Sequence, residues 1–314
     1  MARSYTILGT GALGGYYGAR LHHAGLDVGF LLHSDFEHVR RHGLRVESPH
    51  GDFWIPQPRA YARAADLPRA DVAVVSLKTT QNDVLADLLP PAVSADGVVL
   101  MMQNGLDIET QAAAILPGHT VLGGLAFLCS NKVGPGHVRH LDYGAVRLGE
   151  HTLDGSSAGV TAAMQAIASD FERAGIHVYL EKDLRTARWK KLVWNVPYNG
   201  LCVVHGCTTD VLMQDPVMRA RCEAIMREVL GAAAACGRPI DESFASAMLR
   251  DTDEMAAYAP SMLLDHRRGR PLEIEAIYGA MLRAARAAGA SCPLIEELYA
   301  ALLERDRHGR PDGA

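Results

Sequence analysis

A lysine and two asparagines at helical spacing form the segment richest in chemistry. Lys191, Asn195 and Asn199 stand at i, i+4 and i+8 in Trp189-Lys190-Lys191-Leu192-Val193-Trp194-Asn195-Val196-Pro197-Tyr198-Asn199. On a helix this spacing lines one ammonium and two carboxamides along a single stripe. The neighbours Leu192, Val193 and Val196 are apolar, so the stripe is a polar row in a mostly buried helix. Buried polar groups need partners, and where the protein supplies none a substrate can. A cationic donor aimed at a carbonyl oxygen stabilises developing negative charge and supplies a proton. The plainer alternative is a structural polar seam. Lys190 competes for the role, but its i+4 neighbour is Trp194 rather than an amide. Pro197 is expected to kink the helix or leave backbone groups open beside the stripe.

A second signal lies at the start of the chain. The β-prone run Tyr5-Thr6-Ile7-Leu8 leads directly into Gly9-Thr10-Gly11-Ala12-Leu13-Gly14, and a helix-compatible stretch follows to Ala24. In such a strand–turn–helix, Gly9 permits the turn and Gly11 keeps side chains off a pyrophosphate. Gly14 lets helix and strand pack closely. The free N–H groups and the helix dipole then face phosphates. Lys78 follows the apolar run 71–76, and Gln103-Asn104-Gly105 follows the run 98–101. Ligands of open α/β sheets sit outside the carboxyl ends of the strands, so Lys78 and Asn104 are placed to touch cofactor or substrate. Later, Ala259-Pro260-Ser261-Met262 precedes an expected helix carrying Glu273. Ser261 reads alternatively as an N-cap, and Glu273 as a first-turn acid complementing the helix dipole.

The elements that must position these residues fall into two groups. The first half alternates strand and helix: strands 5–8, 28–32, 71–76 and 98–101, helices 12–24, 81–89 and 108–116, and a hairpin of 44–47 with 53–55. Residues 35–42 read as a short helix or turn, and Pro90-Pro91 as the stop of helix 81–89. Continuous Val/Leu runs mark buried parallel strands, and repeated βα units imply a doubly wound sheet. Strands 121–128, 137–141 and 145–148 are expected at a sheet edge, followed by helix 157–174 and strand 177–180. From 184 the pattern is helical: 184–202, 209–213, 216–236, 241–257, 271–289 and 293–304, with a frayed tail over 305–314. The expected fold is therefore α/β, an N-terminal Rossmann-type doubly wound sheet over residues 1–182 and an all-α domain over residues 183–314.

Composition narrows the function. The 314 residues are 48% hydrophobic and 21% charged, with net charge −5 and both signs scattered, which are ordinary values for a globular protein. No basic block suggests nucleic acid or a membrane surface, and no apolar run approaches a spanning length of ~20 residues. Six cysteines without C-x-x-C point to a reducing compartment, and the protein is expected in the cytoplasm. Cys202, His205 and Cys207 read as core residues rather than half of a metal site; no metal is expected. Apolar stripes at 218–235, 277–287 and 294–303 suit either a homodimer or the domain's own core.

Together these motifs resemble the ketopantoate reductase (2-dehydropantoate 2-reductase) family over nearly the whole chain. The matching residues are Gly9 to Gly14, Ser76-Leu77-Lys78, Gln103-Asn104-Gly105, the segment Trp189–Asn199, Ser261-Met262-x-x-Asp265 and Glu273-Ile274. The resemblance implies NADP(H) as cofactor and a small 2-oxo acid as substrate. It implies Lys191 as proton donor, with Asn195, Asn199 and Ser261 holding the substrate's carboxylate and hydroxyl. Asn104 and Glu273 are implied at the cofactor–substrate junction, with Lys78 nearby. Where the family usually carries an arginine for the 2′-phosphate, this chain has His33, then Ser34 and Asp35. His33 and Ser34 hydrogen-bond a phosphate more weakly than an arginine fork, and Asp35 would favour a free ribose hydroxyl. Thr209 stands where some members have a substrate-contacting asparagine. The alternatives are an NAD-dependent 2-hydroxyacid dehydrogenase of another substrate and a dinucleotide sensor without turnover.

Overall fold

Strand β1 (Ser4–Leu8) and helix α1 (Ala12–His23) close on each other because glycines face the sheet. A Cβ at Gly18 would lie 2.6 Å from Ile7 Cγ1 and 2.7 Å from Phe30 Cε1, and one at Gly14 would strike Ser76 Oγ and the Gly9 carbonyl. The computed structural model describes residues 2–308. Its first unit continues with β2 (Asp27–Leu31), α2 (Phe36–His42), β3 (Leu44–Glu47), β4 (Phe53–Ile55), β5 (Arg59–Tyr61) and β6 (Ala70–Val75). Then come α3 (Leu85–Ala92), β7 (Val93–Met101), α4 (Ile108–Ile115), β8 (Thr120–Gly134), β9 (His137–Glu150), α5 (Ala162–Arg173) and β10 (Val178–Leu180).

The strands order as β4-β3-β9-β8-β7-β6-β1-β2-β5, with β10 beside β9. Strands β2, β1, β6, β7 and β8 run parallel. Their register aligns Leu31, Leu8, Val75 and Met101 side by side. The loops leaving β2, β1, β6 and β7 therefore emerge next to one another at one edge of the sheet. The core beneath is aliphatic and aromatic: Tyr5, Ile7, Tyr17, Val28, Phe30, Val72 and Val74 are almost fully buried.

The second unit is helical: α6 (Leu184–His205), α7 (Thr209–Gln214), α8 (Pro216–Ala235), α9 (Ser243–Glu254), α10 (Ser261–Arg267), α11 (Ala280–Ala287) and α12 (Pro293–His308). By compactness the chain divides into residues 2–103 with 108–184, and residues 104–107 with 185–308. The short segment around Asn104 thus belongs with the helices. The stripes that suggested a homodimer pack inside this unit: Cys222, Ile225, Met226, Val229, Ile277, Met281, Ile295, Leu298 and Leu302 are core. Among the described residues, no helix is long and apolar enough to cross a membrane.

Several elements differ from the sequence expectation. Strands β8 and β9 are fifteen and fourteen residues long and lie inside the strand order, with β3 pairing beyond β9. Register shifts near 127, 129 and 132 break their alternation, which is why they read as short pieces. A 3₁₀ segment, Thr79–Val84, precedes α3, and α3 runs through Pro90 and Pro91 to Ala92. Pro90 and Pro91 have no N–H to donate back into the helix, and α3 ends one residue after them, at Ala92. Helix α5 starts at Ala162 rather than 157 because the Thr161 hydroxyl caps Met164 N. Helix α9 is shorter than 241–257 at both ends. Residues 305–308 of the expected tail extend α12; residues 309–314 lie outside the described residues.

Gly18→Val is expected to overfill the α1–sheet contact and cost about 1–3 kcal/mol. A lowered thermal unfolding midpoint is the readout.

Candidate active site

The glycine loop is built as a cradle. Gly9 has φ +98°, and a Cβ there would lie 2.6 Å from Leu77 N. Only glycine tolerates that backbone and that approach. Ser76 Oγ donates to the Gly9 carbonyl at 2.9 Å, and Thr10 Oγ1 to the Leu31 carbonyl at 2.8 Å, tying the loop to β6 and β2. Gly11 differs: a Cβ there would meet nothing within 4 Å. It is the N-cap of α1 without any side-chain cap, and the first turn holds no acidic residue. Open space, uncapped N–H groups and the positive end of a helix dipole fit a pyrophosphate. His33 and Ser34, both exposed, follow β2 directly, and half-buried Lys78 follows β6 at the start of the 3₁₀ segment. Gln103 Nε2 donates to the Leu77 carbonyl at 2.9 Å and to Asn82 Oδ1 at 2.6 Å, bracing the loop that carries Lys78.

In the helical unit, α6 carries Lys191, Asn195 and Asn199 within about 80° of arc. All three are buried, with Lys191 only 9% exposed, whereas Lys190 is exposed. Burial first, and the Arg188 charge after it, pull the Lys191 ammonium down to about pKa 7 against the opposing charge of Glu273. Helix α6 continues through Pro197 rather than breaking. Beside that proline, the Val196 carbonyl accepts the Tyr278 hydroxyl at 2.9 Å, and Gly200 leaves room for Tyr278 and Leu298.

Tyr278 lies in a π-helical turn, Glu275–Gly279, that runs directly into α11, so the helix expected over 271–289 spans 274–287. Glu273 precedes that turn and is 2% exposed, so it is a buried acid rather than a first-turn surface acid. The same turn positions Asn104. The Ala276 carbonyl accepts Leu106 N at 3.0 Å, and Gly105, at φ +123°, has no side chain to hold the strands of chain apart there. At α10 the N-cap is Pro260, so half-buried Ser261 is the first helical residue and not the cap. Asn199 Oδ1 accepts Met262 N at 3.5 Å, linking the stripe to the residue beside Ser261. The stripe, Glu273, Asn104 and Ser261 are thus parts of one unit; the glycine loop, His33, Ser34 and Lys78 are parts of the other.

Comparison with known proteins identifies the family. The family model described as Ketopantoate reductase PanE/ApbA matches residues 5–152, and its C-terminal counterpart matches residues 183–306. A 2-dehydropantoate 2-reductase of Nostoc sp. is 52% identical over 308 residues, covering 98% of this chain and 97% of the relative. The chain belongs to the ketopantoate reductase family. It is an oxidoreductase. Among solved structures, the 2-dehydropantoate 2-reductase of Geobacter metallireducens superposes with a TM-score of 0.91 at 38% identity, covering 96% of this chain and 99% of that one. The 2-dehydropantoate 2-reductase of Methylococcus capsulatus gives 0.88 at 33%, covering 99% of each.

Two residues near the site act differently from the sequence reading, and a third had none. Thr209 is 1% exposed, and its N and Oγ1 both donate to the Tyr258 carbonyl at 3.0 and 3.3 Å. It holds the loop leading to Ser261. Asp35 is also buried: burial pushes its carboxyl up, but Lys132 and the Gly136 N–H outweigh this and hold it low. Arg188, 2% exposed, was missed. Its signal was its place three residues before Lys191, which lengthens the polar stripe by one turn.

Lys191 makes a stability prediction. Its folded pKa lies below the unfolded value of 10.5, so the folded state loses this proton at about pH 7 while the unfolded chain keeps it to about 10.5. The cost of the buried charge is fully present below pH 7 and fades as pH rises from 7 to 10.5. Lys191→Met should therefore exceed wild type in stability most below pH 7, by on the order of 5 kcal/mol from this term. The gap should narrow toward pH 10 in denaturant titrations.

Proposed function

We propose that the chain catalyses NADPH-dependent reduction of ketopantoate, or a close branched 2-oxo acid, to the 2-hydroxy acid, with Lys191 as proton donor. One observation carries the reading: an ammonium buried to a pKa near 7 shares one helix face with two buried carboxamides. The nicotinamide, when bound, supplies the hydride. Lys191 donates its N–H to the substrate's carbonyl oxygen, stabilises the negative charge that grows there and gives up the proton, becoming the neutral amine. An ammonium already near pKa 7 gives up that proton readily, which suits an acid working at neutral pH. Glu273 favours the charged form and restores it between turnovers.

The other roles follow from donor types. Asn195 and the Ser261 hydroxyl hold the substrate's carboxylate and hydroxyl. Asn199, whose Oδ1 takes Met262 N, contributes its Nδ2. Asn104 sits at the junction of cofactor and substrate. Gly9 to Gly14 hold the pyrophosphate, His33 and Ser34 the adenosine end, and Lys78 the cofactor near β6. NADPH is favoured over NADH because Asp35 is turned to Lys132 and Gly136 instead of standing open to a ribose. A sensor without turnover would have no use for a buried lysine and two amides. The six free cysteines suit a reducing compartment, and we place the enzyme in the cytoplasm. Lys191, Asn195, Asn199 and Glu273 come from one chain, so the proposal does not need a homodimer; light scattering reads that state.

The test is NADPH oxidation with ketopantoate. Lys191→Ala should lower kcat by about 10²–10⁴-fold while NADPH binding, read by fluorescence, persists; undiminished turnover would remove Lys191 as the donor. For the free enzyme, kcat/KM of reduction should fall as pH rises above about 7, where Lys191 loses its proton. The reverse oxidation should rise through the same value. Gly11→Ala should fold with an unchanged melting midpoint yet bind NADPH weakly, since its methyl enters only the open cradle.

A further inference from the structure

The β8–β9 hairpin reaches farther than its sheet position suggests. In the strand order, β8 and β9 lie beyond β6 and β7 from β1, whereas β2 lies on the other side of β1. Yet Lys132 and Gly136, at the tip of this hairpin, meet Asp35 just after β2. The path between runs over α1: a Cβ on Gly15 would lie 2.8 Å from Val138 Cγ2, and Tyr17 Oη donates to the Gly144 carbonyl at 3.3 Å. The hairpin is an arm that crosses the cofactor helix and lands where the adenosine end of a dinucleotide is held.

Its landing engages both oxygens of Asp35. Oδ2 accepts Lys132 Nζ at 2.6 Å and Gly136 N at 2.8 Å, and Oδ1 accepts Ser34 Oγ at 3.2 Å. An acid at the end of this strand accepts ribose hydroxyls in NAD enzymes; here its oxygens are already taken. An ammonium has three donors, and this ion pair takes one. Lys132 therefore cancels a charge that would repel a phosphate and keeps two N–H groups for an anion. Ser34 Oγ spends its one hydrogen on Oδ1 while Lys132 Nζ binds Oδ2, so a phosphate beside Ser34 takes its hydrogen bonds from the ammonium.

We propose that Lys132, delivered by the β8–β9 arm, is the cation that selects the 2′-phosphate of NADPH in place of a strand-end arginine. This rests on NADPH being the cofactor, and the experiment separates the two claims. Binding of NADPH and of NADH is measured by titration calorimetry on wild type, Lys132→Met, Lys132→Arg and Asp35→Asn. Wild type should bind NADPH at least about tenfold more tightly than NADH. Lys132→Met should erase most of that ratio by weakening NADPH alone, and Lys132→Arg should keep it. Asp35→Asn should tighten NADPH relative to NADH, because it removes a negative charge that the Lys132 ammonium otherwise has to cancel. A Lys132→Met protein with wild-type melting and an unchanged ratio would overturn the role of Lys132 and leave NADPH in place. A wild type that binds NADH as tightly as NADPH would overturn the cofactor reading itself.

Discussion

Holding an ammonium out of water costs several kcal/mol unless its surroundings compensate, and the helical unit is organised around that cost. Lys191 is buried on α6 with one buried carboxylate, Glu273, working in its favour and one buried guanidinium, Arg188, working against it. The result is a group balanced between its two protonation states near neutrality. Such a balance depends on rigid walls. Trp189, Leu192, Val193 and Val196 are almost completely buried around it, so the helix cannot roll to return the charge to solvent.

Glycine does comparable work in the sheet unit, through close approach. Gly9, Gly14 and Gly18 each stand where any side chain would collide with β1, β2 or the turn after β6, while Gly11 faces open space. Three glycines thus bring the helix onto the sheet and one keeps the cradle clear. The hydrogen bonds from Ser76 and Thr10 fix the loop to its neighbouring strands, so its N–H groups are set before any ligand arrives.

Much of this was legible in the chain. The βα alternation and the hairpin of β3 with β4 followed from apolar runs and turn residues, and the family followed from its motifs in order. The polar stripe followed from spacing alone, and burial then separated Lys191 from Lys190. What escaped were features that break periodicity. Bulges cut β8 and β9 into apparent fragments. The π turn that leads into α11 has no local residue signature, and the helix begins at 274, one residue after Glu273. Long-range partners were equally invisible: Thr209 with Tyr258, and Asp35 with Lys132, are separated by 49 and 97 positions, and nothing local to either residue announces them.

The four residues 104–107 group with the helices although both flanking stretches of chain group with the sheet. Leu106 is anchored to the Ala276 carbonyl, and Asn104 travels with it. The helical half is therefore encoded in two places. A gene fragment beginning at residue 185 would carry the stripe and Glu273 but leave Asn104 behind, so no single cut yields this module whole. Recombination between relatives would have to exchange both pieces together, which ties the evolutionary fate of a four-residue loop to that of more than a hundred residues downstream.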